Sequence, residues 1–389
     1  MTGMGLCDRV ADIIHAANAD SRGMVKRLCR EMPWMADFLQ AEVVGPTSPK
    51  KPRGQANFLL QFLRGDAELS TEQLKEISVL VFLQDAGMCR TKADCRACAL
   101  PMTIGVKDGV FVLRCSKCTG SLSMRNGTFL SGSRIDNRTF LWLFTHLCAW
   151  RNYTQASIAT FTGLDKNTVS EWVTLVREVI SVYLRNTPIV LGGHGEVGYA
   201  DGVWIGTSQK YGRGDPNRGV KDKKGKRILL LVMAEQKSKR IQVRVIRSEN
   251  KKEVHEILAQ CFARGTEIQT DSAGCFLNLD KNTGADGDLM EFSGAMVNHS
   301  KGEFARWEAG HQISSNKGER MNGLLKRFLV KHNGFPLQTV MLALDEFIYH
   351  TNENDPAVCD LDKFISHIGK YSQASIDIDD APGNSLYFS

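Results

Sequence analysis

The stretch Glu267-Ile268-Gln269-Thr270-Asp271 places a carboxylate directly after a short run with strand character. A second aspartate, Asp201, lies inside an extended segment, and Glu319 lies on a later amphipathic segment. Carboxylate oxygens are the ligands that Mg²⁺ prefers, and two such ions about 4 Å apart bind the attacking and leaving oxygens of a phosphodiester. The sequence therefore predicts a two-metal site for phosphoryl transfer, with Asp201, Asp271 and Glu319 as its ligands.

Asp201 stands in an apolar row of the extended segment 196–206. The apolar residues that alternate on its side are Val197, Tyr199, Val203 and Ile205. Burial of an unpaired carboxylate is costly, so Asp201 is predicted to bind a metal or to face a cleft. Asp271, taken alone, is equally well explained as the cap of the turn that follows a strand.

The segment 316–331 has the period of a helix. Its apolar positions, which recur at i, i+3, i+4 and i+7, are Met321, Leu324, Leu325 and Phe328. Asn316, Glu319, Gly323 and Lys326 follow one another on a different face, and Gly323 is predicted to leave room for another backbone. On an isolated helix this face would be interpreted as solvated. Because the chain also has two aspartates on predicted strands, Glu319 is interpreted as a third site carboxylate.

The cysteines contain two closely spaced pairs, Cys95-x-x-Cys98 and Cys115-x-x-Cys118, among the eleven of the chain. Each C-x-x-C turn presents two sulfurs, and Zn²⁺ binds four thiolates tetrahedrally. The spacing predicts a zinc ribbon with a strand at 109–113 between its halves. A four-thiolate site has no open position, so this zinc is predicted to be structural. Cys89 is an alternative ligand, although an ordinary flanking cysteine is the favoured interpretation.

The charge of the 389-residue chain is +6, with a pI of about 8.7, which favours an anionic partner. The basic residues concentrate between positions 210 and 227, against only Asp215 and Asp222; they are Lys210, Arg213, Arg218, Lys221, Lys223, Lys224, Lys226 and Arg227. Such a run is usually a solvated loop, but beside a phosphoryl-transfer site it predicts phosphate contacts. Lys326 and Arg327 are predicted to contact DNA as well, with Lys326 near the scissile phosphate.

The periodicity divides the chain into five regions. They are a helical region of unknown role (1–85), a zinc ribbon (86–133), a helix-turn-helix-like region (134–187), an α/β region (188–355) and a tail (356–389). The α/β region is predicted to contain three strands, a helix, a further strand and then helices. This order resembles that of the ribonuclease-H-like fold. Apolar runs stay below the roughly 18 residues that span a bilayer and no signal peptide is recognised, which favours a soluble, intracellular protein.

Several ordered segments between about Cys95 and Asn354 carry a family resemblance. Besides the cysteine pairs, they are Asn126–Ser133, Val297–Ser300, Asn316–Lys326 and Leu344–Asn352. Together they resemble the ISXO-like bacterial insertion-sequence transposases and their eukaryotic relatives, the Merlin transposases. Family members often have an acidic residue directly after the first aspartate, and here Gly202 takes that place.

The resemblance implies a DDE transposase with a ribonuclease-H-like catalytic domain. Asp201, Asp271 and Glu319 would hold two Mg²⁺ or Mn²⁺ ions, one activating water and later a 3′-hydroxyl, the other stabilising the leaving oxygen. Some family members use another residue type as third ligand, so Asn316 is an alternative to Glu319. His299 follows a short strand and His311 lies nearby, but lone histidines such as these are more often structural.

The implied partners are double-stranded DNA, as transposon ends and as target, and further copies of the chain, because two ends must be brought together. The expected location is the nucleus in a eukaryote and the cytoplasm otherwise. Two alternatives belong to other functional classes. One is a domesticated, inactive DNA-binding protein that keeps the fold, and the other is a metal-dependent nuclease that cuts without joining.

Overall fold

A computed structural model describes the chain between residues 79 and 372, with gaps. The positions not described within this span are 81, 85, 108–109, 150–153, 207–226, 239, 272, 298–304, 309–310, 315, 332–339 and 354–360. The predicted DNA contacts Lys223, Lys224 and Lys226 lie outside the described residues. So do His299 and most of the region 1–85.

The described elements come in groups of strands and groups of helices along the chain. They are β1 (Thr103–Lys107), β2 (Val110–Arg114), β3 (Ser121–Ser123), α1 (Asn137–Cys148), α2 (Gln155–Thr162), α3 (Lys166–Asn186), β4 (Val197–Gly206), β5 (Arg227–Glu235), β6 (Ile241–Ile246), α4 (Lys251–Cys261), β7 (Glu267–Asp271), β8 (Ser293–Val297), β9 (Ala305–Glu308), β10 (His311–Ser314), α5 (Asn316–Lys331), α6 (Val340–Glu353) and α7 (Leu361–Ser372). Within the described part of the chain, no helix is both long and apolar enough to cross a membrane.

These elements form two compact units. The first contains the described residues up to Val173 together with α7, and the second contains those from Thr174 to Glu353. Helix α3 contributes residues to both units, and α7 comes from the region that the sequence suggested as a tail. The five predicted regions stay a prediction.

The first unit combines a small sheet with helices. Strands β1, β2 and β3 form an antiparallel sheet in that order. Helix α1 begins where the Asp136 side chain accepts a hydrogen bond from Thr139 N at 2.9 Å, and α2 begins with a capping box between Thr154 and Ser157. Gly163, with a φ of 69°, ends α2, because a residue without a side chain adopts this left-handed conformation readily.

The second unit is built on a five-stranded mixed sheet with the order β6-β5-β4-β7-β8. Strand β5 is antiparallel to both β6 and β4, whereas β4, β7 and β8 run parallel. The run Ile228–Ala234 within β5 is buried throughout, which explains why this strand lacks an alternating pattern. The mixed α/β architecture expected for this region is confirmed.

Helix α6 ties the edge of this sheet to α3. The Asn352 side chain accepts from Ile241 N at 2.6 Å and donates to Ile241 O at 2.9 Å, so it satisfies backbone groups of the edge strand β6. Glu346 accepts from Arg177 Nε at 2.8 Å, and the exposed fractions of the two residues are 6% and 5%. The segment Leu344–Asn352 therefore stabilises the unit.

The hairpin of β9 and β10 has no counterpart in the sequence prediction. The two strands pair antiparallel, with His311 opposite Glu308, and Ile313 of β10 packs in a small cluster with Ala295 and Val297 of β8. Each strand has only four residues, which is too short for an alternating pattern to be recognised.

Candidate active site and metal centre

Two adjacent parallel strands bring Asp201 and Asp271 together. Tyr199 of β4 is paired with Gln269 of β7, and each aspartate lies two residues further along its strand. Because side chains alternate along a strand, both aspartates lie on the same face as this pair. A cavity of about 130 Å³ lies there, lined by Tyr199, Ala200, Asp201, Gln269, Thr270, Asp271, Gly318 and Glu319. The structure therefore brings the three predicted carboxylates to one cavity.

Helix α5 carries Glu319 to this cavity and begins close to β4. A Cβ atom added at Gly318 would lie 3.7 Å from the Asp201 Cβ, so the first turn of the helix passes directly beside the aspartate. At Gly323 the nearest atom to an added Cβ would be Arg327 Nη1 of the same helix, at 3.9 Å. Among the described residues, the approach predicted at Gly323 is not seen, and the contact with β4 lies five residues earlier, at Gly318.

The environment of Asp201 disfavours a negative charge. Burial, and next the charge of Asp271, raise the pKa of Asp201 to about 6, and Glu319 adds to the effect. Hydrogen bonds from Asn322 and from the Gly202 backbone act in the opposite direction. Of the apolar row expected around this aspartate, Tyr199, Val203 and Ile205 are buried and Val197 is half-buried. A bound cation would relieve both the burial cost and the repulsion between carboxylates.

This pKa predicts a pH-dependent stability for the protein without added divalent cation. An acid whose pKa is raised on folding binds more protons when folded, so Asp201 lowers the free energy of unfolding as the pH rises from about 4 to about 6. Asp201→Asn removes this cost of about 1–3 kcal/mol. The variant is expected to melt above the wild type at pH 7.5 and close to it at pH 4. A variant that melts below the wild type at pH 7.5 contradicts the shift.

Asp271 also has the turn-capping role that its position allowed. Its Oδ1 accepts a hydrogen bond from Ala273 N at 3.1 Å. The neighbouring cavity residue Gln269 is 1% exposed and donates from Nε2 to Glu267 Oε1 at 2.9 Å. The two interpretations of Asp271 are compatible, because a carboxylate can accept this bond with one oxygen and keep further lone pairs.

Asn322 is a site residue that the sequence interpretation missed. Its Nδ2 donates to Asp201 Oδ2 at 2.6 Å, and its exposed fraction is 7%. No hydrogen-bond partner for its Oδ1 exists among the described residues, and a buried amide oxygen without a partner costs about 1–3 kcal/mol. The sequence feature that could have identified Asn322 is its position: it is a polar residue one turn after Glu319, between the core residues Met321 and Leu325.

The remaining predicted residues lie apart from the cavity lining. Asn316 and Arg327 are exposed, Lys326 is half-buried, and none of these described residues lines the cavity. Arg227 is the first residue of β5. His311 is the first residue of β10 and is paired with Glu308 in the hairpin. Glu319 and Asn316 were the two candidates for the third metal ligand. Glu319 lines the cavity, and Asn316 does not.

The four predicted zinc cysteines form a compact cluster in the first unit. The sulfurs of Cys95, Cys98, Cys115 and Cys118 all lie within 4.8 Å of one another. The Cys95 and Cys118 sulfurs are 3.4 Å apart, and tetrahedral zinc with Zn–S bonds of about 2.3 Å requires roughly 3.8 Å. Among the described residues this is the one group of at least three such side chains that could hold a metal ion. Cys89 is buried and lies outside it.

The two cysteine turns repeat one backbone geometry. The N–H of Cys95 donates to Leu100 O at 2.9 Å, and that of Cys115 donates to Gly120 O at 2.8 Å. The residue after the second cysteine of each pair has a positive φ, 54° at Ala99 and 58° at Thr119. Backbone N–H groups of Cys118 and Lys117 lower the pKa of Cys115 to about 7. In the same cluster a hydrogen bond with Cys118 raises the pKa of Cys98 to about 12, so the two shifts act in opposite directions.

The fold and the cavity define an α/β domain with an acidic cleft, and part of the chain matches one family model. Residues 191–352, which include Asp201, Asp271 and Glu319, match the model of the ISXO2-like transposase domain. The resemblance to ISXO-like transposases is thereby confirmed for this domain, which covers less than half of the chain.

The chain was also compared with curated proteins and with solved structures. No curated protein matches the chain. A solved structure titled "Crystal structure of a pre-cleavage Mos1 transpososome" is 11% identical and aligns over 62% of this chain and 79% of its own, with a TM-score of 0.23. A similarity at this TM-score carries no conclusion about the fold.

Proposed function

We propose that this protein is a DDE-type transposase that cleaves DNA at the ends of a mobile element and joins those ends to a target. The observation that carries the proposal is the meeting of Asp201 on β4, Asp271 on β7 and Glu319 on α5 at one cavity. This cavity lies inside the segment that matches the ISXO2-like transposase domain. Carboxylates from separate elements are what divalent-metal phosphoryl transfer requires.

The fold proposed for the catalytic domain is ribonuclease-H-like. Three consecutive antiparallel strands, β4 to β6, are followed by helix α4 and by β7 and β8, which return parallel to β4 on its other side. This order supports the proposal. In the first unit, the short connection at Gly163 between α2 and α3 supports a helix-turn-helix-like DNA-binding element.

The donor set of the cavity fits Mg²⁺ or Mn²⁺, because hard cations prefer carboxylate oxygens. Asp201, Asp271 and Glu319 would hold the ions, which supply Lewis-acid activation of the attacking and leaving oxygens when bound. Lys326 and Arg327, on the same helix as Glu319, are proposed to contact DNA phosphates.

The cysteine cluster is proposed to hold one structural Zn²⁺. Four sulfur donors fit zinc and complete its tetrahedral shell, so no position remains for a substrate. The zinc would hold together β1 to β3 and the turns that flank them, a segment whose exposed side chains include Arg96, Lys107 and Lys117. This charge suits contact with the phosphate backbone of DNA.

The proposed partners follow from the reaction. They are double-stranded DNA, as element ends and as target, and further copies of the chain that bring two ends together. The proposed location is the nucleus in a eukaryote and the cytoplasm otherwise. Base contacts, which choose the sequence, are assigned to the zinc ribbon and the α2–α3 pair, because backbone contacts carry little sequence information.

The test is a strand-transfer assay with DNA from the flanks of the gene as donor. The wild-type protein is expected to give joined products with added Mg²⁺ or Mn²⁺ and none without them. Cleavage without joining would instead assign the protein to the metal-dependent nucleases. Binding with neither reaction in the presence of either ion would assign it to domesticated DNA-binding proteins.

A further inference from the structure

The amide of Asn322 contacts the Asp201 carboxylate from a buried position. The helix that carries Glu319 also carries Asn322, one turn later, and the Nδ2 to Oδ2 distance is 2.6 Å. Asn322 is 7% exposed and its neighbours Met321 and Leu325 are 4% and 0% exposed. An amide among such neighbours contributes little to apolar packing.

The oxygen atom of the same amide indicates that apolar packing does not explain an asparagine at this position. Oδ1 of Asn322 is buried and has no hydrogen-bond partner among the described residues. A leucine, which has the same branched arrangement of heavy atoms, would occupy this position without leaving a buried polar atom unpaired. What leucine lacks is a donor for Asp201, so the donor is the property that explains an asparagine here.

We propose that Asn322 is a positioning residue that fixes the orientation of the Asp201 carboxylate for binding of a divalent cation. The inference rests on the proposed function, in which Asp201 is a metal ligand. By occupying Oδ2, the amide restricts rotation of the carboxylate and leaves its other lone pairs for the cation. Hydrogen-bonded partners of metal ligands act in this way, and their loss typically weakens metal affinity about 10–100-fold.

The hydrogen bond also joins α5 to β4, so its loss has a structural effect that must be separated from the positioning effect. Leu325, which is 0% exposed on the same helix, provides the matched control. Leu325→Ala loosens the packing of α5 and leaves the Asn322 donor in place. A purely structural role of Asn322 would therefore make the two variants alike in metal binding.

The experiment measures Mn²⁺ binding to the zinc-loaded full chain by the EPR signal of free Mn²⁺, with melting temperatures recorded in parallel. Asn322→Leu is expected to weaken Mn²⁺ binding about 10–100-fold, with a fall in melting temperature no larger than that of Leu325→Ala. Leu325→Ala is expected to lower the melting temperature with little change in Mn²⁺ affinity. Asn322→Ala serves as the second donor-free variant if the leucine is not accommodated.

Three outcomes separate this inference from the proposed function. Equal Mn²⁺ affinity in wild type and Asn322→Leu, with weak binding in Asp271→Asn, overturns the positioning role and keeps the metal site. Equal loss of affinity in Asn322→Leu and Leu325→Ala also overturns it, because the effect is then structural. Wild-type binding no stronger than that of Asp271→Asn overturns the metal site itself and the inference with it.

Discussion

Asp271→Asn is expected to fold and bind DNA like the wild type while DNA cleavage falls about 1,000-fold or more. The substitution keeps the size of the side chain, and an asparagine Oδ1 can still accept the hydrogen bond from Ala273 N. It removes the negative charge, which contributes several kcal/mol of metal binding and transition-state stabilisation to such a site. Each 1.36 kcal/mol corresponds to about a tenfold change in rate.

The control for this variant is Asp280→Asn, which removes a charge from an exposed aspartate outside the cavity lining. Both variants and the wild type are compared for DNA binding by gel shift and for cleavage in Mg²⁺ or Mn²⁺. Asp280→Asn is expected to cleave like the wild type. Normal cleavage by Asp271→Asn means that the assignment of the three carboxylates is wrong.

Cys98→Ser is expected to remove the bound zinc and to unfold the β1–β3 region. A serine hydroxyl is a poor replacement for a thiolate, and the binding of structural zinc contributes about 10–16 kcal/mol of apparent folding free energy in small zinc modules. The variant keeps only three of the four sulfurs that lie within 4.8 Å of one another in the folded protein, so its ligand set is incomplete. Metal analysis is expected to give one zinc per wild-type chain and close to none in the variant.

The matched control is Cys89→Ala. Cys89 is buried near the start of the first unit, and burial raises the pKa of its thiol to about 11, so it is a poor source of thiolate. This variant is expected to retain one zinc per chain. A wild-type protein without zinc overturns the proposal, and loss of zinc in Cys89→Ala would make Cys89 a ligand after all.

Much of the candidate site was predictable because it rests on local patterns. The period of apolar residues gave helix α5 with the bounds Asn316–Lys331, and the row around Asp201 indicated its strand. Cysteine spacing alone placed the four sulfurs together, since a C-x-x-C turn fixes its own geometry. In each case the information lies within a few residues of the chain.

What the sequence did not reveal depends on contacts between distant segments. The role of Asn322 depends on the packing of α5 beside β4, where its amide meets Asp201. Gly318 and Gly323 are both glycines on one helix, and only docking against β4 decides which one the strand approaches. The short strands β9 and β10 are defined mainly by pairing with each other, which no local pattern specifies.

The hydrogen bond between Asn322 and Asp201 has a consequence for synthesis of the protein, because it joins residues 121 positions apart. At about 5–20 residues per second, a ribosome adds Asn322 roughly 6–24 s after Asp201. Throughout that interval the nascent chain lacks the amide that orients Asp201, and Glu319 is added only three residues before it. Asn352, which secures the sheet edge at Ile241, follows later still. The acidic cavity is thus assembled only when translation of the domain is almost finished, and a truncated product carries no complete site.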